Sequence, residues 1–98
     1  MKLEDVRRIA GPACRAFNVR RLDAFGSVAR GSATSTSDVD LLVEFADPEA
    51  HLAQRYFGLL HRLEDGLHCA IDLLTVESVR NPYVRARILK ERVPLYEG

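Results

Sequence analysis

Two aspartates, Asp38 and Asp40, stand at the head of an apolar run that ends at Phe45. In an extended strand alternate side chains share a face, so both carboxylates are predicted to project together, opposite the side chains of Val39 and Leu41. Neighbouring carboxylates repel each other unless a cation or a shared proton relieves them. We therefore interpret this spacing as a site for a divalent cation.

A glycine turn and a third aspartate extend this interpretation. The turn, Gly26-Ser27, lies upstream of the paired aspartates, and Asp72 lies within a later apolar segment. Backbone N–H groups and a hydroxyl at such a turn can bind phosphate oxygens. If the segment of Asp72 pairs with that of Asp40, the carboxylates meet on one face. Cations held there could clamp the attacking and leaving oxygens of a phosphoryl transfer.

Composition limits the function classes that need to be considered. The chain has 98 residues and is expected to form a single domain over residues 1–98. Lys and Arg together number 14, as do Asp and Glu, whereas proteins that grip long nucleic acid usually carry a basic excess. No apolar run reaches membrane-spanning length, and the N-terminus lacks a secretory signal. We expect a cytoplasmic protein that binds neither membranes nor long nucleic acid.

The charges are distributed unevenly along the chain. Residues 38–77 contain nine acidic and two basic side chains, whereas residues 78–98 contain five basic and two acidic ones. The basic ends of the chain are suited to an anionic ligand or to the acidic face of a partner. The basic side chains near the C-terminus are expected on a solvated helix face; they are Arg85, Arg87, Lys90 and Arg92.

Apolar periodicity predicts an α/β (α+β) domain, with helices packed on a small mixed β-sheet. Strands are expected over residues 19–25, 39–45, 69–75 and 93–96. Helices are expected over residues 2–17, 47–65 and 82–92, with a brief helical turn over 28–30. Gly11-Pro12 predicts a kink or an early break in the first helix, and Asp47-Pro48-Glu49 and Gly66 predict the start and end of the second. The predicted buried stripe of that helix is Leu52, Tyr56, Phe57, Leu60 and Leu63.

Taken together, these motifs resemble the minimal nucleotidyltransferase (MNT) domains of the DNA polymerase beta superfamily. The resemblance covers nearly the whole chain and implies the polymerase beta-like nucleotidyltransferase fold. The matching segments are Gly26-Ser27-Val28-Ala29-Arg30-Gly31, Ser37-Asp38-Val39-Asp40-Leu41-Leu42-Val43 and Ile71-Asp72-Leu73-Leu74-Thr75. The tail from Asn81-Pro82 through Ile88-Leu89-Lys90-Glu91 to Leu95-Tyr96 also resembles the closing helix and strand of the family.

The resemblance implies a role for each matching residue. ATP is the expected substrate and Mg²⁺ the expected cofactor, with two ions bound. Arg30 is expected to contact phosphate, with a solvent-facing position as the alternative. The implied catalytic and metal-binding residues are Asp38, Asp40 and Asp72. The implied nucleotide-binding residues are Gly26, Ser27, Arg30 and Ser37.

The resemblance also implies a partner. Free-standing MNT proteins similar to this one, of the MntA antitoxin type, are commonly encoded beside a HEPN protein, typically a ribonuclease toxin. The implied reaction moves AMP from ATP to a tyrosine of that toxin and releases pyrophosphate. The alternative is a non-catalytic antitoxin that neutralises its partner by binding and occlusion. A further alternative is transfer to a small molecule or an RNA end.

The aspartates also have interpretations without a metal. Asp38 and Asp40 would then be turn or helix-dipole residues, and Asp72 would merely solvate the end of a strand. The combination with the upstream glycine turn favours the catalytic interpretation, because a pure binding protein has no need of clustered carboxylates that repel each other.

Overall fold

The computed structural model describes residues 2–31 and 38–98, and their fold is built on a four-stranded mixed sheet. The strand order is β3-β2-β1-β4, with β2 parallel to β3 and β1 antiparallel to both of its neighbours. Ser37, a predicted nucleotide-binding residue, lies outside the described residues. The elements in chain order are α1 (Leu3–Ala16), β1 (Val19–Phe25), α2 (Gly26–Ala29), β2 (Val39–Phe45), α3 (Leu52–Leu67), β3 (Ile71–Thr75), a short 3₁₀ turn (Val76–Ser78), α4 (Pro82–Glu91) and β4 (Val93–Glu97).

The two faces of the sheet are covered differently. On one face, buried residues of β1 and β2 such as Leu22 and Leu41 form a continuous core with α1 and α3. On the other face, Leu42 of β2 and Ile88 of α4 line one small apolar crevice. Asp40 belongs to this second face, because its neighbours in sequence, Val39 and Leu41, are buried in the core. Helices packed on a mixed sheet confirm the predicted architecture.

The first helix is continuous from Leu3 to Ala16 although it contains Gly11-Pro12, so the expectation of an early break there is wrong. An internal proline costs a helix about 3 kcal/mol. Packing offsets this cost, because one buried stripe continues on both sides of the proline and removes apolar surface from water. The residues of this stripe are Val6, Ala10, Ala13 and Cys14.

The second long helix, α3, begins at Leu52 and not at Asp47-Pro48-Glu49 as predicted. The tripeptide forms a turn in which the N–H of Ala50 donates to the carbonyl of Asp47 at 3.1 Å. His51, directly before the helix, has a φ of 51°. A residue in this left-handed region cannot continue a right-handed helix, so the local start signal at the proline is not used.

The C-terminal end of α3 also differs from the prediction. The helix continues through Gly66 to Leu67 and ends at His68, which has a φ of 54°. Gly66 lies where a Cβ atom would stand 2.5 Å from Cγ2 of Ile9 on α1. This glycine therefore allows α1 and α3 to approach closely and does not terminate the helix.

The buried face of α3 is rotated relative to the predicted stripe. Leu59 and Leu63 are fully buried, whereas Leu52 and Phe57 are 41% and 54% exposed, so their predicted burial is wrong. Tyr56 donates its hydroxyl to the carbonyl of Leu73 at 2.5 Å and thus faces the sheet edge. The next residue is rotated by about 100° around the helix, which turns Phe57 towards solvent.

The last two elements follow the predictions closely. Asn81 caps α4, and its side-chain oxygen accepts hydrogen bonds from the N–H groups of Tyr83 and Val84 at 3.0 and 3.3 Å. Pro82 occupies the first turn, where its missing N–H costs nothing. After α4 the chain enters β4, the edge strand beside β1. No helix within residues 2–31 and 38–98 is long and apolar enough to cross a membrane.

Arg55 holds together the turn that precedes α3. Its guanidinium donates to the carbonyls of Phe17, Asn18, Asp47 and Ala50 at 2.7–3.0 Å, and also to that of Ala46. It lies 4.9 Å from the ring centroid of Phe45. These contacts tie the junction of α1 and β1 to the start of α3.

We expect Arg55→Leu to lower the free energy of unfolding by about 2–4 kcal/mol, because the carbonyls around it lose their charged donor. Urea unfolding followed by circular dichroism measures the change. Arg62→Leu removes an exposed arginine from the same helix and is the matched control. Equal unfolding midpoints for the two variants would contradict a structural role for Arg55.

Candidate active site

Asp40 stands at the centre of the candidate active site. Its backbone pairs with Phe25, the residue before Gly26, on one side and with Asp72 of β3 on the other. Residues directly opposite each other in neighbouring strands share a face of the sheet. Asp38 is two residues before Asp40 and follows the same alternation. The structure therefore brings the predicted aspartates together with the glycine turn.

The pKa of Asp40 is raised by burial and also because the carboxylates of Asp72 and Asp38 are near. Burial raises the pKa of the Asp40 carboxyl, and the charges of Asp72 and then Asp38 raise that pKa further. Arg30 acts in the opposite direction. A concentration of negative charge of this kind destabilises a fold unless a cation neutralises it, and such perturbed groups are concentrated at functional sites.

These carboxylates suit a metal that is held partly by the substrate. Within the described ranges, no group of three His, Cys, Asp or Glu side chains is placed to hold a metal ion by itself. Mg²⁺ usually takes one or two protein carboxylates and fills its other positions with water and substrate phosphates. Neighbouring carboxylates on Asp38, Asp40 and Asp72, open on one side, are therefore a donor set that fits Mg²⁺ in a nucleotide site.

Gly26 lies against the carboxylate of Asp40. Its φ is 67°, and a Cβ atom on it would stand 2.3 Å from Oδ2 of Asp40. Only glycine fits both the backbone conformation and the space. It begins the short helix α2, in which Ser27 is half-buried. The predicted helical turn over residues 28–30 is thus present, but it starts two residues earlier.

Arg30 is placed at the rim of this group, directly after α2. Its side chain is 56% exposed, and its Nη1 lies 3.7 Å from Oε2 of Glu91 on α4. It is also close enough to Asp40 to lower the pKa of that carboxyl. The side chain of Arg30 is thus largely exposed to solvent, and its contact with phosphate stays a prediction.

A buried ion-pair network, which was not predicted from the sequence, lies on the face of the sheet that carries Asp40. Asp23 of β1 is only 1% exposed and accepts hydrogen bonds from Nε of Arg21 at 2.9 and 3.0 Å. Nη1 of Arg92 lies 3.5 Å from Oδ2 of Asp23, so the expected solvated position of Arg92 is wrong. Arg21 and Asp23 are two residues apart in a predicted strand and therefore share a face. This spacing could have predicted their ion pair from the sequence.

The repulsion at Asp40 leads to a stability prediction. The folded-state pKa of Asp40 is raised, so the ionised carboxylate destabilises the fold. We therefore expect Asp40→Asn to raise the midpoint of thermal unfolding at pH 7, measured with a chelator present. The gain should disappear as the pH falls through the folded-state pKa to below about 4, where wild-type Asp40 is protonated in both states.

Glu44→Gln, a change on the same strand, is the control for this measurement. Glu44 helps to keep Arg21 charged, so its removal should give no gain in stability. An unfolding midpoint of Asp40→Asn at or below that of wild type at pH 7 would contradict the destabilising effect of ionised Asp40, which burial and the neighbouring carboxylates together cause.

The sequence as a whole matches a known family. A family model described as a nucleotidyltransferase domain matches residues 6–95. The chain belongs to this family. The protein is thus a nucleotidyltransferase, and both the family and the fold expected from the sequence motifs are confirmed.

Named relatives of this nucleotidyltransferase point in the same direction. A protein of Methanocaldococcus jannaschii named "Putative protein adenylyltransferase MJ0435" is 36% identical over 93 residues, which are 95% of this chain and 97% of that protein. The protein adenylyltransferase MntA of Thermococcus cleftensis is 35% identical over 77 residues, covering 79% of this chain and 75% of the relative.

Solved structures share the fold of this nucleotidyltransferase. A structure described as a putative minimal nucleotidyltransferase superposes with a TM-score of 0.80 at 32% identity, covering 96% of both chains. A chain from a toxin–antitoxin crystal structure with AMP-PNP superposes with a TM-score of 0.71 at 18% identity, covering all of this chain and 75% of that one. The second likeness is one of fold.

Proposed function

We propose that this nucleotidyltransferase transfers AMP from ATP to a tyrosine hydroxyl of a partner protein, a HEPN toxin, and thereby acts as an antitoxin. One structural observation carries the proposal: Asp40 lies between the Gly26 turn and Asp72, in a group of mutually repelling carboxylates. The names of the relatives, protein adenylyltransferase and MntA, support AMP transfer to a protein. The toxin–antitoxin structure with AMP-PNP supports the antitoxin role.

The proposed reaction assigns a task to each carboxylate. Asp38 and Asp40 hold Mg²⁺, which neutralises them and polarises the phosphate oxygens when it is bound. Asp72 takes up the proton of the acceptor hydroxyl while that oxygen forms a bond to the α-phosphorus of ATP. The bond between the α-phosphorus and the bridging oxygen breaks, and pyrophosphate leaves with the electron pair.

Phosphate binding is assigned to the residues around the glycine turn. Gly26 brings the backbone close to the Asp40 carboxylate, so phosphates bound by Gly26 and Ser27 would lie beside the carboxylate that is proposed to hold the metal. Arg30, at the rim, contacts the phosphates through its exposed guanidinium. Ser37 stays a predicted nucleotide-binding residue.

The position of Asp72 supports a macromolecular acceptor. Asp72 is exposed and belongs to β3, an edge strand of the sheet. Because its side chain is exposed, Asp72 is accessible to the surface of another protein. The equal numbers of acidic and basic residues argue against an RNA acceptor, whose phosphates usually require a basic surface. ATP and Mg²⁺ are abundant in the cytoplasm, where we expect the reaction to occur.

Occlusion of the toxin without catalysis is the second candidate function. The raised pKa of Asp40 argues against it as the main function, because carboxylates that repel each other reduce stability and do nothing for a binding protein. Binding and catalysis can nevertheless coexist, so an experiment must separate them.

Label transfer tests the proposed reaction. The protein is incubated with Mg²⁺, a lysate of the source cell and ATP labelled at either the α- or the γ-phosphate. We expect a labelled protein band with α-label only, and no band after chelation of the metal. Label in a nuclease-sensitive product would instead assign the acceptor to RNA. Absence of label from protein, RNA and small molecules would contradict the enzymatic function.

A further inference from the structure

We propose that Glu91, the last residue of α4, is a positioning residue that holds Arg30 beside Asp40, ready to contact the triphosphate. This inference rests on the proposed nucleotide transfer. The resemblance includes Ile88-Leu89-Lys90-Glu91 but implies no role for Glu91. Oε1 of Glu91 lies 3.7 Å from Nε of Arg87 on the same helix, whereas its contact with Arg30 joins residues that are distant in the chain.

The contact between Glu91 and Arg30 joins α4 to the rim of the site. Oε2 of Glu91 lies 3.7 Å from Nη1 of Arg30, and the two side chains are 36% and 56% exposed. Arg30 follows α2 and precedes Gly31, which has a φ of 74°. The N–H of Arg30 donates to the carbonyl of Gly26 at 3.2 Å, and Gly26 lies against the carboxylate of Asp40, so Arg30 is near this carboxylate as well as near Glu91.

The backbone of Glu91 is anchored more firmly than the side chain of Arg30. The next residue, Arg92, pairs with Asp23, which is buried, and its N–H donates to the carbonyl of Ile88 at 2.9 Å. Directly afterwards Val93 pairs with Ala24 in the sheet. The backbone of Glu91 is therefore fixed, whereas the exposed side chain of Arg30 can change its rotamer.

The geometry favours positioning over competition with the phosphates. At 3.7 Å the pair is an ion pair but not a hydrogen bond. A guanidinium carries several N–H donors in a planar fork, so those not facing Glu91 stay available to a phosphate. An exposed ion pair contributes little to stability, whereas hydrogen bonds between charged groups are about twice as strong as neutral ones. The phosphate can therefore bind Arg30 while Glu91 limits its rotamers.

Nucleotide titrations test this role. AMP-PNP and AMP are titrated calorimetrically, with Mg²⁺, against wild type and variants. We expect Arg30→Gln to weaken AMP-PNP binding by about 10-fold and Glu91→Gln by about 3-fold, while AMP binding changes little because AMP lacks the outer phosphates. The double variant should match Arg30→Gln alone, since Glu91 acts through Arg30. Glu97→Gln, which removes an exposed carboxylate from β4, should match wild type.

The outcomes separate this inference from the proposed function. Tighter AMP-PNP binding by Glu91→Gln would show that Glu91 competes with the phosphates and would overturn the inference. Additive losses in the double variant, or an equal loss of AMP binding, would also overturn it. If wild type binds AMP-PNP and transfers label but Glu91→Gln is unchanged, only the inference fails. If wild type neither binds AMP-PNP nor transfers label, the proposed function itself fails.

Discussion

Transfer of AMP by Asp38→Asn combined with Asp40→Asn is expected to fall by at least about 10³-fold, the loss typical of removing central groups of an active site. Asparagine keeps the shape of both side chains but removes the negative charge that holds Mg²⁺. The fold should be retained, since burial and the neighbouring carboxylates raise the pKa of Asp40 and removal of its charge relieves both effects. Quantified label transfer and thermal unfolding, measured on the same preparations, give the two readouts.

Loss of activity without loss of stability is the signature that distinguishes a catalytic from a structural role for these aspartates. Glu44→Gln combined with Glu49→Gln removes the same amount of charge from β2 and the turn that follows it, and should leave transfer unchanged. Residual transfer within tenfold of wild type in the aspartate variant would contradict the assignment of Asp38 and Asp40.

Gly26→Ala is expected to reduce transfer by about 100-fold, because a displacement of about 1 Å in a reacting group can cost that much. The added Cβ atom would stand 2.3 Å from Oδ2 of Asp40, so this carboxylate must move. A left-handed backbone conformation at alanine also lowers the stability by about 1–2 kcal/mol. Label transfer and urea unfolding separate the two effects.

Gly31→Ala is the matched control for this change. Gly31 has a φ of 74°, close to the 67° of Gly26, but a Cβ atom on it would meet nothing within 4 Å among the residues that the structure describes. The two variants should therefore lose similar stability, and only Gly26→Ala should lose most of its activity. Similar activity losses in both would show that backbone strain, and not displacement of Asp40, is the cause.

The parts of the fold that could be predicted are those with a local cause. Alternation of apolar and polar residues gave β2 its correct bounds, and placed Asp38 and Asp40 opposite the buried face. Asn81 and Pro82 predicted the start of α4, because a cap and a first-turn proline act within one turn of the helix.

The parts that could not be predicted depend on contacts between distant segments. Asp47-Pro48-Glu49 does not begin a helix, although its sequence predicts one. Arg55 holds this segment in a turn, because its guanidinium donates to the carbonyl of Asp47 and also to those of Phe17 and Asn18. The buried stripe of α1 likewise offsets the cost of its internal proline.

The candidate site shows the same division between local and long-range causes. Its aspartates and glycine turn are evident from spacing within short segments. The pairing of Arg30 with Glu91, and of Asp23 with Arg92, exists only after α4 has packed beside α2 and the sheet. Periodicity carries no information on such pairs, which is why the role of Glu91 required the structure.

The most direct test of AMP transfer as the antitoxin mechanism is whether the partner toxin stays inactive after this protein has been removed. The partner toxin is incubated with the protein, Mg²⁺ and ATP, separated from it under denaturing conditions, refolded and assayed alone, beside toxin treated identically without ATP. AMP transfer predicts that the toxin stays inactive only when ATP was present, since the modification is covalent. Return of full toxin activity after separation from the ATP-containing mixture would contradict catalysis and assign neutralisation to occlusion.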